Sequence, residues 1–549
     1  MVIKSITIEN FKGIADPVTI NFKPITLLFG PNSAGKSTII QALHYLREVI
    51  ERENINPSNT LAGGQAIDLG GFYSLVHNHD LQKSIIIRLD LDLTDTDLTE
   101  FMGDLRQVEH VPPSSDWDIS PLFKDIKTAW VEVKINRTAS LIGAIIEEYK
   151  VGINGDIIGC INCSNEGKNI YISLLDLQHP LFKSETTIFD FDVKNSILEL
   201  VTINIKESML SDESHTNLGL LGLKSALPGK GLLTFIDDIW IELNGQSLVP
   251  LEFPRKALID ILSVIFVGPL NASRELLKNT CYLGPDRTVP SRNFEPPLTP
   301  DESRWSNGLA AWDILHRSEQ GFIDKVNNWL GGENHLNSGY KVRVSRFKEI
   351  DSESPLGYML YEDNSSSHEE WQEKFGEMME LYPNTFFELF DSPTRTRLYL
   401  IKEDNHIELL PSDIGYGISK VIPVLVAPLY QNTGIVAIEE PESNIHPAFQ
   451  VVLGDLFASQ IQEKKDIMFL IETHSEHLVL RLMRRMRETS LNSLPPGMPA
   501  TTPEDVAIYY VSSQDSKTCI QLMAVSKQGA LISSWPGGFF EEGFKELFG

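Results

Sequence analysis

The chain has 549 residues but only four cysteines, too few for a disulfide framework at this length. Cys160 and Cys163 form a CxxC in GCINCSNEG, yet no second ligand pair stands at a spacing that would complete a structural zinc site. They read as small residues in or near a β-hairpin. No apolar run is long enough to span a bilayer. The N-terminal MVIKSITIEN alternates apolar and polar residues and lacks a signal-peptide core, so a cytoplasmic protein without a membrane partner is expected. No heptad pattern is sustained, which excludes a long coiled-coil arm. Positive charge is also scarce, with 47 Lys and Arg against 75 Asp and Glu, a net charge of −28. A protein that grips bare nucleic acid by itself usually shows a basic footprint. Here that footprint must be local, and its best candidate is Arg481, Arg484, Arg485 and Arg487 in RLMRRMRE, which otherwise reads as a solvated helix face. The acidic balance fits better with a basic protein partner or with avoiding non-specific nucleic acid.

What is present is the composition of a folded protein, 42% hydrophobic and 22% charged, with length for two or three domains. IKSITI (3–8), VTINF (18–22) and ITLLF (25–29) read as short strands. After them Ile39, Ile40, Leu43, Leu46, Val49 and Ile50 fall at helical spacing. SIIIRLDLDL (84–93) is a further strand that places Asp90 and Asp92 on one face, a solvent face rather than a metal cluster. Residues 349–380 are rich in Glu, Asp and Ser and read as an acidic surface insertion. TGIVAIEEP (433–441) and KKDIMFLIETHSE (464–476) are strand-like runs that end in acidic or His residues, as α/β sheets do where they place ligands. The expected fold is therefore α/β. Its parts are an N-terminal segment (1–93), a mixed β and helical insertion (94–280), a second lobe with the acidic insertion (281–404) and a C-terminal segment (405–549).

The chemistry begins at Gly30-Pro31-Asn32-Ser33-Ala34-Gly35-Lys36-Ser37, a full G-x-x-x-x-G-K-[ST] between strand and helix. Its glycines let successive backbone N–H groups wrap a phosphate, and the helix offers its positive end to the same anion. Lys36 is expected to reach the β- and γ-phosphates of ATP, Ser37 to ligate Mg²⁺, and Thr38 to add a hydroxyl near the α-phosphate. IVAIEEPES supplies the acids: Glu439 as the metal carboxylate and Glu440 as the general base for the attacking water. His474 ends the next strand, where a ring N–H can sense the γ-phosphate. In LLPSDIGYGISKVIPVL (409–425), Ser412 and Asp413 can cap a helix, while Gly415 and Gly417 permit close backbone approach to a ligand.

Together, ITIENFKGI, GPNSAGKST, SDIGYGISKVIPVL, IEEPESNIHP and ETHSEHLVLRL resemble the ABC-type ATPases of the structural-maintenance-of-chromosomes and RecF kind. More closely they resemble the overcoming-lysogenization-defect group. The resemblance covers roughly the first fifty residues and about 410–482. It implies a P-loop ABC-type ATPase head with a mixed β lobe, a large α+β insertion and no long coiled coil. It also implies a head-to-head homodimer in which Ser412, Gly415 and Gly417 of one copy contact the γ-phosphate held by the other. His446-Pro447 would link the two sites, and Asn10, Phe11 and Lys12 would lie beside the nucleotide. Departures are a Glu439 where relatives carry Asp, which would slow hydrolysis, a signature without Ser-Gly-Gly, and no clear Q-loop glutamine. After His474 only Asp515 is available as a downstream acid in VAIYYVSSQDSK, so no nuclease site within the chain is expected. CYLGPDR (281–287) and the C-terminal GALISSWPGGFFEEGFKELF are similar to segments of PtuA-type ATPases from Septu anti-phage systems, including versions attached to retrons. That likeness implies ATP-gated control of an HNH-type (PtuB-like) nuclease, and in a retron version contact with a reverse transcriptase and its multicopy single-stranded DNA. The competing readings are a RecF-like repair ATPase acting directly on DNA and a transporter ATPase.

Overall fold

Strand and helix patterns of this strength should survive folding, and they do. The computed structural model describes residues 1–59, 64–94, 96–101, 120–137, 143–163, 170–176, 178–182, 187–188, 191–192, 227, 260–353, 357, 372, 376–377, 380–381, 394–515, 517–532 and 535–536. Most of the expected acidic insertion and of the C-terminal tail lies outside the described residues. The chain forms two compact units, one of Met1–Asp286, Glu302–Ser306 and Tyr430–Gly549, the other of Arg287–Asp301 and Asn307–Leu429.

The first unit holds two sheets. One has seven antiparallel strands in the order β2-β1-β4-β5-β6-β7-β8, where β1 is Val2–Glu9, β2 Val18–Asn21, β4 Ile85–Asp92, β5 Thr128–Arg137, β6 Ala144–Ile153, β7 Asp156–Cys163 and β8 Ile170–Leu175. Its strands alternate buried and half-buried residues, most regularly in β4, as a sheet with one face on a core must. Asp90 and Asp92 fall on the outer face of β4; Asp90 accepts from Ser5 Oγ at 2.9 Å and pairs with Arg88. Cys160 and Cys163 are free thiols in β7, an odd spacing that points them to opposite faces. A separate two-stranded ribbon joins β9 (Thr187–Ile188) and β10 (Phe191–Asp192).

The second sheet has six strands in the order β11-β15-β16-β3-β17-β18, with β3 Ile25–Phe29, β11 Cys281–Leu283, β15 Gly434–Glu439, β16 Ile467–Thr473, β17 Val506–Gln514 and β18 Lys517–Met523. All neighbours are parallel except β17 and β18. Strands β3, β15 and β16 are buried throughout, which is why they read as unbroken apolar runs instead of alternating ones. Between the sheets runs α1 (Lys36–Ile50). Its stripe of Ile39, Ile40, Leu43, Leu46, Val49 and Ile50 is buried, and one hydrophobic cluster joins it to both sheets. A second helix, α2 (Gly268–Lys278), packs against it, and Arg47 of α1 donates to the carbonyls of Thr280 and Lys278.

The second unit holds α3 (Leu309–Arg317), α4 (Gln320–Gly331), α5 (Tyr416–Tyr430, whose last residue counts with the first unit) and a three-stranded sheet of β12 (Tyr340–Lys348), β13 (Thr394–Lys402) and β14 (Glu408–Leu409). Buried Val342, Leu398 and Leu400 form its inner face.

Helix α6 (Pro447–Glu463) packs on β16, and α7 (Glu476–Ser490) packs on α6, which decides the arginine cluster. The expected solvated face is not what forms at Arg485. Its side chain is 2% exposed and grips Asp455 with two bonds of 2.7 and 3.0 Å. Arg481 reaches the same carboxylate at 3.3 Å, and Arg484 pairs with Glu488. Asp455, presented by α6, thus answers Arg481 and Arg485 inside the fold, while Arg484 and Arg487 stay on the solvated face. A buried charge without its partner is expensive, so Asp455→Ala should lower unfolding free energy by about 3 kcal/mol. Urea denaturation measures this; a loss below about 1 kcal/mol would show that the pair is dispensable.

Candidate nucleotide site

The P-loop joins β3 to α1, and its backbone shows why the glycines are there. Gly30 has φ +150° and Gly35 +99°, both in a region that side chains avoid, and Ser33 between them has φ +61°. Gly35 directly precedes α1, with no side chain capping the helix, so no side chain competes with an anion for the N–H groups at its start. The Lys36 ammonium is buried, donates to the carbonyls of Gly30 and Pro31 at 3.1 Å each, and lies 3.7 Å from Glu472. Burial lowers its pKa, opposed by the carboxylates of Glu472, Glu440 and Glu442. Beside it, the turn after β1 holds Asn10 and Lys12 at φ +54° and +49°. Phe11 is buried there and stacks on Tyr45 of α1. Lys12 donates to Gln41 Oε1 at 2.6 Å and feels Asp68 and Glu439.

The acids arrive by register. Glu439 ends β15 and stands opposite Glu472 on β16, while the next residue of β16, Thr473, pairs with Phe29 before the P-loop. Because β16 lies between β15 and β3, Glu472 is interposed between the expected metal acid and the phosphate loop. Both carboxylates are buried, at 8% and 5% exposure. Glu439 accepts from the Tyr282 hydroxyl at 3.0 Å; Tyr282 sits in β11 and packs edge-on against His44. Burial pushes Glu439 up to about 7, and the charge of Glu472 adds to it while Tyr282 opposes it. Glu472 is raised likewise by burial, with Ser37 and Lys36 pulling it down, and its Oε2 is buried without a hydrogen-bond partner.

These donors suit a hard divalent cation. Ser37, Glu439 and the orphan oxygen of Glu472 are all oxygen ligands, and a cation would relieve two carboxylates that burial now raises. Among the described residues no group of three or more His, Cys, Asp or Glu is placed to hold a metal unaided. Magnesium characteristically takes one or two carboxylates and completes its shell with water and substrate phosphates.

Glu440 follows with φ +44°, a strained conformation for a side-chain-bearing residue, fixed by its N–H donating to the Glu472 carbonyl at 2.8 Å. That turn swings its carboxylate out of the buried pair, to 39% exposure, and to 4.0 Å from His474 Nε2. Burial and Lys36 lower the His474 pKa while Glu440, which its ring faces, raises it. Glu442 holds this end of β16: it accepts from Thr473 Oγ1 at 2.8 Å and from the His474 N–H at 2.5 Å. Ser475 then caps α7 through Leu478 N–H and donates to Gln450.

The structure thus gathers Lys12, the P-loop, Glu439, Glu440 and His474 in the first unit. Ser412, Gly415 and Gly417 belong to the second. There Ser412 Oγ donates to Asp413, Asp413 pairs with Arg292, and a Cβ on Gly415 would meet nothing within 4 Å. His446 begins α6 and caps it through Ala448 N–H. Sequence reasoning missed Glu472, Tyr282 and Glu442 as working parts. The acid before Thr473-His474 was the signal for Glu472, since strand ends on a shared register face the same ligand.

A protein-family profile described as "AAA domain, putative AbiEii toxin, Type IV TA system" matches residues 164–481. One for an AAA ATPase domain matches residues 1–239, and one for a protein of unknown function (DUF3696) matches residues 502–548. Among curated proteins, the chromosome partition protein Smc of Halothermothrix orenii is 45% identical over 47 residues, 8% of this chain and 4% of that protein. The Smc of Mycolicibacterium paratuberculosis is 37% identical over 70 residues, 13% of this chain and 5% of that protein. The chain therefore matches only a twentieth or less of the length of these relatives. Solved structures similar to it include an Smc head bound to the C-terminal winged-helix domain of ScpA, with TM-score 0.38 and 10% identity over 95% of this chain and 98% of that one. The SMC head domain from Thermotoga maritima has TM-score 0.35 and 10% identity over 96% and 100%.

The raised Glu439 has a consequence for stability. Between about pH 4.5 and pH 7 the folded state keeps a proton there that the unfolded state has lost, so stability falls as pH rises through this window. Glu439→Gln removes the penalty. In thermal denaturation of the nucleotide-free protein it should raise the melting temperature at pH 8, by an amount reflecting roughly 3 kcal/mol at most, and change it little at pH 5. An equal shift at both pH values, or a loss at pH 8, would contradict the assignment.

Proposed function

Since the chain belongs to the AAA-domain family described as "putative AbiEii toxin, Type IV TA system" and is an AAA-type ATPase, we propose that it binds magnesium ATP, hydrolyses it slowly, and as a homodimer regulates a partner nuclease in anti-phage defence. The observation that carries the ATP part is the convergence of Lys36, Glu439, Glu440 and His474 at the carboxyl ends of adjacent parallel strands. Ser37 and Glu439, with Glu472 behind them, would hold Mg²⁺, which neutralises phosphate charge when bound. Lys36 leaves the carbonyls of Gly30 and Pro31 for the β- and γ-phosphates. Glu440, held outside the buried pair, takes the proton of the attacking water. Neutral His474 donates a ring N–H toward the γ-phosphate. The longer side chain of Glu439, one methylene more than an aspartate, is the feature that favours slow turnover.

The dimer and the defence role rest on the family resemblance of the signature and tail segments. By that resemblance Ser412, Gly415 and Gly417 of a second copy complete each site, and the partner is an HNH-type nuclease, joined in a retron setting by a reverse transcriptase and its single-stranded DNA. A RecF-like ATPase acting on DNA draws on the basic strands β12 and β13, which carry Lys341, Arg343, Arg346, Lys348, Arg395, Arg397 and Lys402. Acids already answer several of them: Lys341 pairs with Glu403, Arg343 with Glu408, Arg395 with Glu295 and Glu349, and Lys402 with Asp404. These pairings, which take up four of the seven basic side chains, favour the partner-directed reading. DNA-stimulated, salt-sensitive hydrolysis by the isolated chain would reverse the preference.

Two substitutions separate the roles. Lys36→Ala should abolish ATP binding. Glu440→Gln should keep binding within about threefold of wild type, reduce turnover at least about 100-fold, and accumulate dimer on size-exclusion chromatography with ATP. Normal hydrolysis by Glu440→Gln would remove Glu440 as the base, and a monomer under all conditions would remove the shared site. Co-purification from the native operon tests the nuclease partner, and its absence there would count against the defence role.

A further inference from the structure

The nucleotide loop lies over the C-terminal hairpin β17–β18, and one residue of that hairpin touches both loops of the site. A Cβ on Gly30 would come within 2.0 Å of the Val511 carbonyl oxygen, so β17 forms the floor at the start of the P-loop. At its end the floor is Thr518, 8% exposed. The Thr518 hydroxyl donates to the Ala34 carbonyl at 3.2 Å, and its N–H donates to the Gly13 carbonyl at 2.8 Å. Ala34 belongs to the P-loop. Gly13 directly follows the turn that carries Lys12, and Lys12 in turn is bonded to Gln41 of α1.

The fit is tight on both sides. A Cβ added to Gly35 would lie 2.4 Å from Thr518 Oγ1, and one added to Gly13 would lie 2.3 Å from the same atom. Gly35 is also constrained by its φ of +99°. Gly13 is not in the left-handed region, so its lack of a side chain answers to Thr518 alone. A backbone that must present several N–H groups to one anion loses affinity when its shape is no longer fixed in advance.

We propose that Thr518 is a positioning residue for nucleotide binding, its hydroxyl and N–H locking the P-loop to the Lys12 turn in the shape that receives the triphosphate. The proposal rests on the reading of Gly30–Ser37 as an ATP site. It assigns to the C-terminal hairpin a role in nucleotide affinity and none in the chemical step.

The test is steady-state ATP hydrolysis with direct ATP titration on the full chain. Thr518→Val keeps the shape and removes the hydroxyl; it should raise KM and Kd for ATP about tenfold, the worth of one buried hydrogen bond, with kcat within about twofold of wild type. Thr518→Ser should restore wild-type affinity. Gly13→Ala should weaken binding in the wild-type background, whereas Gly13→Ala combined with Thr518→Ala should bind no worse than Thr518→Ala alone, because the clashing atom is gone. Wild-type KM in Thr518→Val, a fall in kcat at unchanged KM, or undiminished harm from Gly13→Ala in the Thr518→Ala background would each overturn the proposal. Failure of the wild-type chain to bind ATP would remove the ATP site itself and this role with it; wild-type binding that Thr518→Val leaves intact removes only this role.

Discussion

Two carboxylates buried side by side, with Lys36 against one of them, are the constraint on which this site depends. Glu439 and Glu472 face each other across β15 and β16, and Lys36 stands 3.7 Å from the nearer oxygen of Glu472. Left uncompensated, such a pair disfavours the ionised state. The fold accepts that penalty at the carboxyl ends of its most deeply buried strands, the position where an α/β sheet receives its ligand. A cation and polyphosphate, bound as proposed, would supply what the apolar sheet cannot.

Strand order turns this electrostatic arrangement into a site. The sequence visits β3 early and β15 and β16 some four hundred residues later, yet β16 lies directly against β3. The acid from β15 and the loop after β3 are therefore separated by one strand, and that strand contributes Glu472 and the approach to His474. Glu442 ties the loop after β15 to the end of β16, so Glu440 and His474 are held by one hydrogen-bonded connection. Tyr282 from β11 supports the pair from the other side, and the C-terminal hairpin supports the P-loop from below.

Much of this was legible in the residues. The P-loop, the apolar stripe of α1 and the strands ending in Glu439 and His474 are local patterns, and local patterns survive folding. What stayed hidden depends on pairings far apart in the chain. Tyr282 meets Glu439 across 157 positions and Thr518 meets Ala34 across 484. Glu472 was visible as a residue, but its role follows from β16 lying between β15 and β3, which no spacing reveals. Two arginines of α7 misled for the same reason: Arg484 and Arg487 are solvated as their pattern suggests, but the place of Arg481 and Arg485 is decided by the neighbouring Asp455.

The most direct measurement is an experimental structure of the Glu440→Gln protein with ATP and magnesium. It should show the triphosphate wrapped by Gly30–Ser37, Lys36 turned from the carbonyls of Gly30 and Pro31 onto the phosphates, and a cation beside Ser37 and Glu439. A triphosphate bound elsewhere, or Lys36 still on those carbonyls beneath a bound nucleotide, would contradict the account.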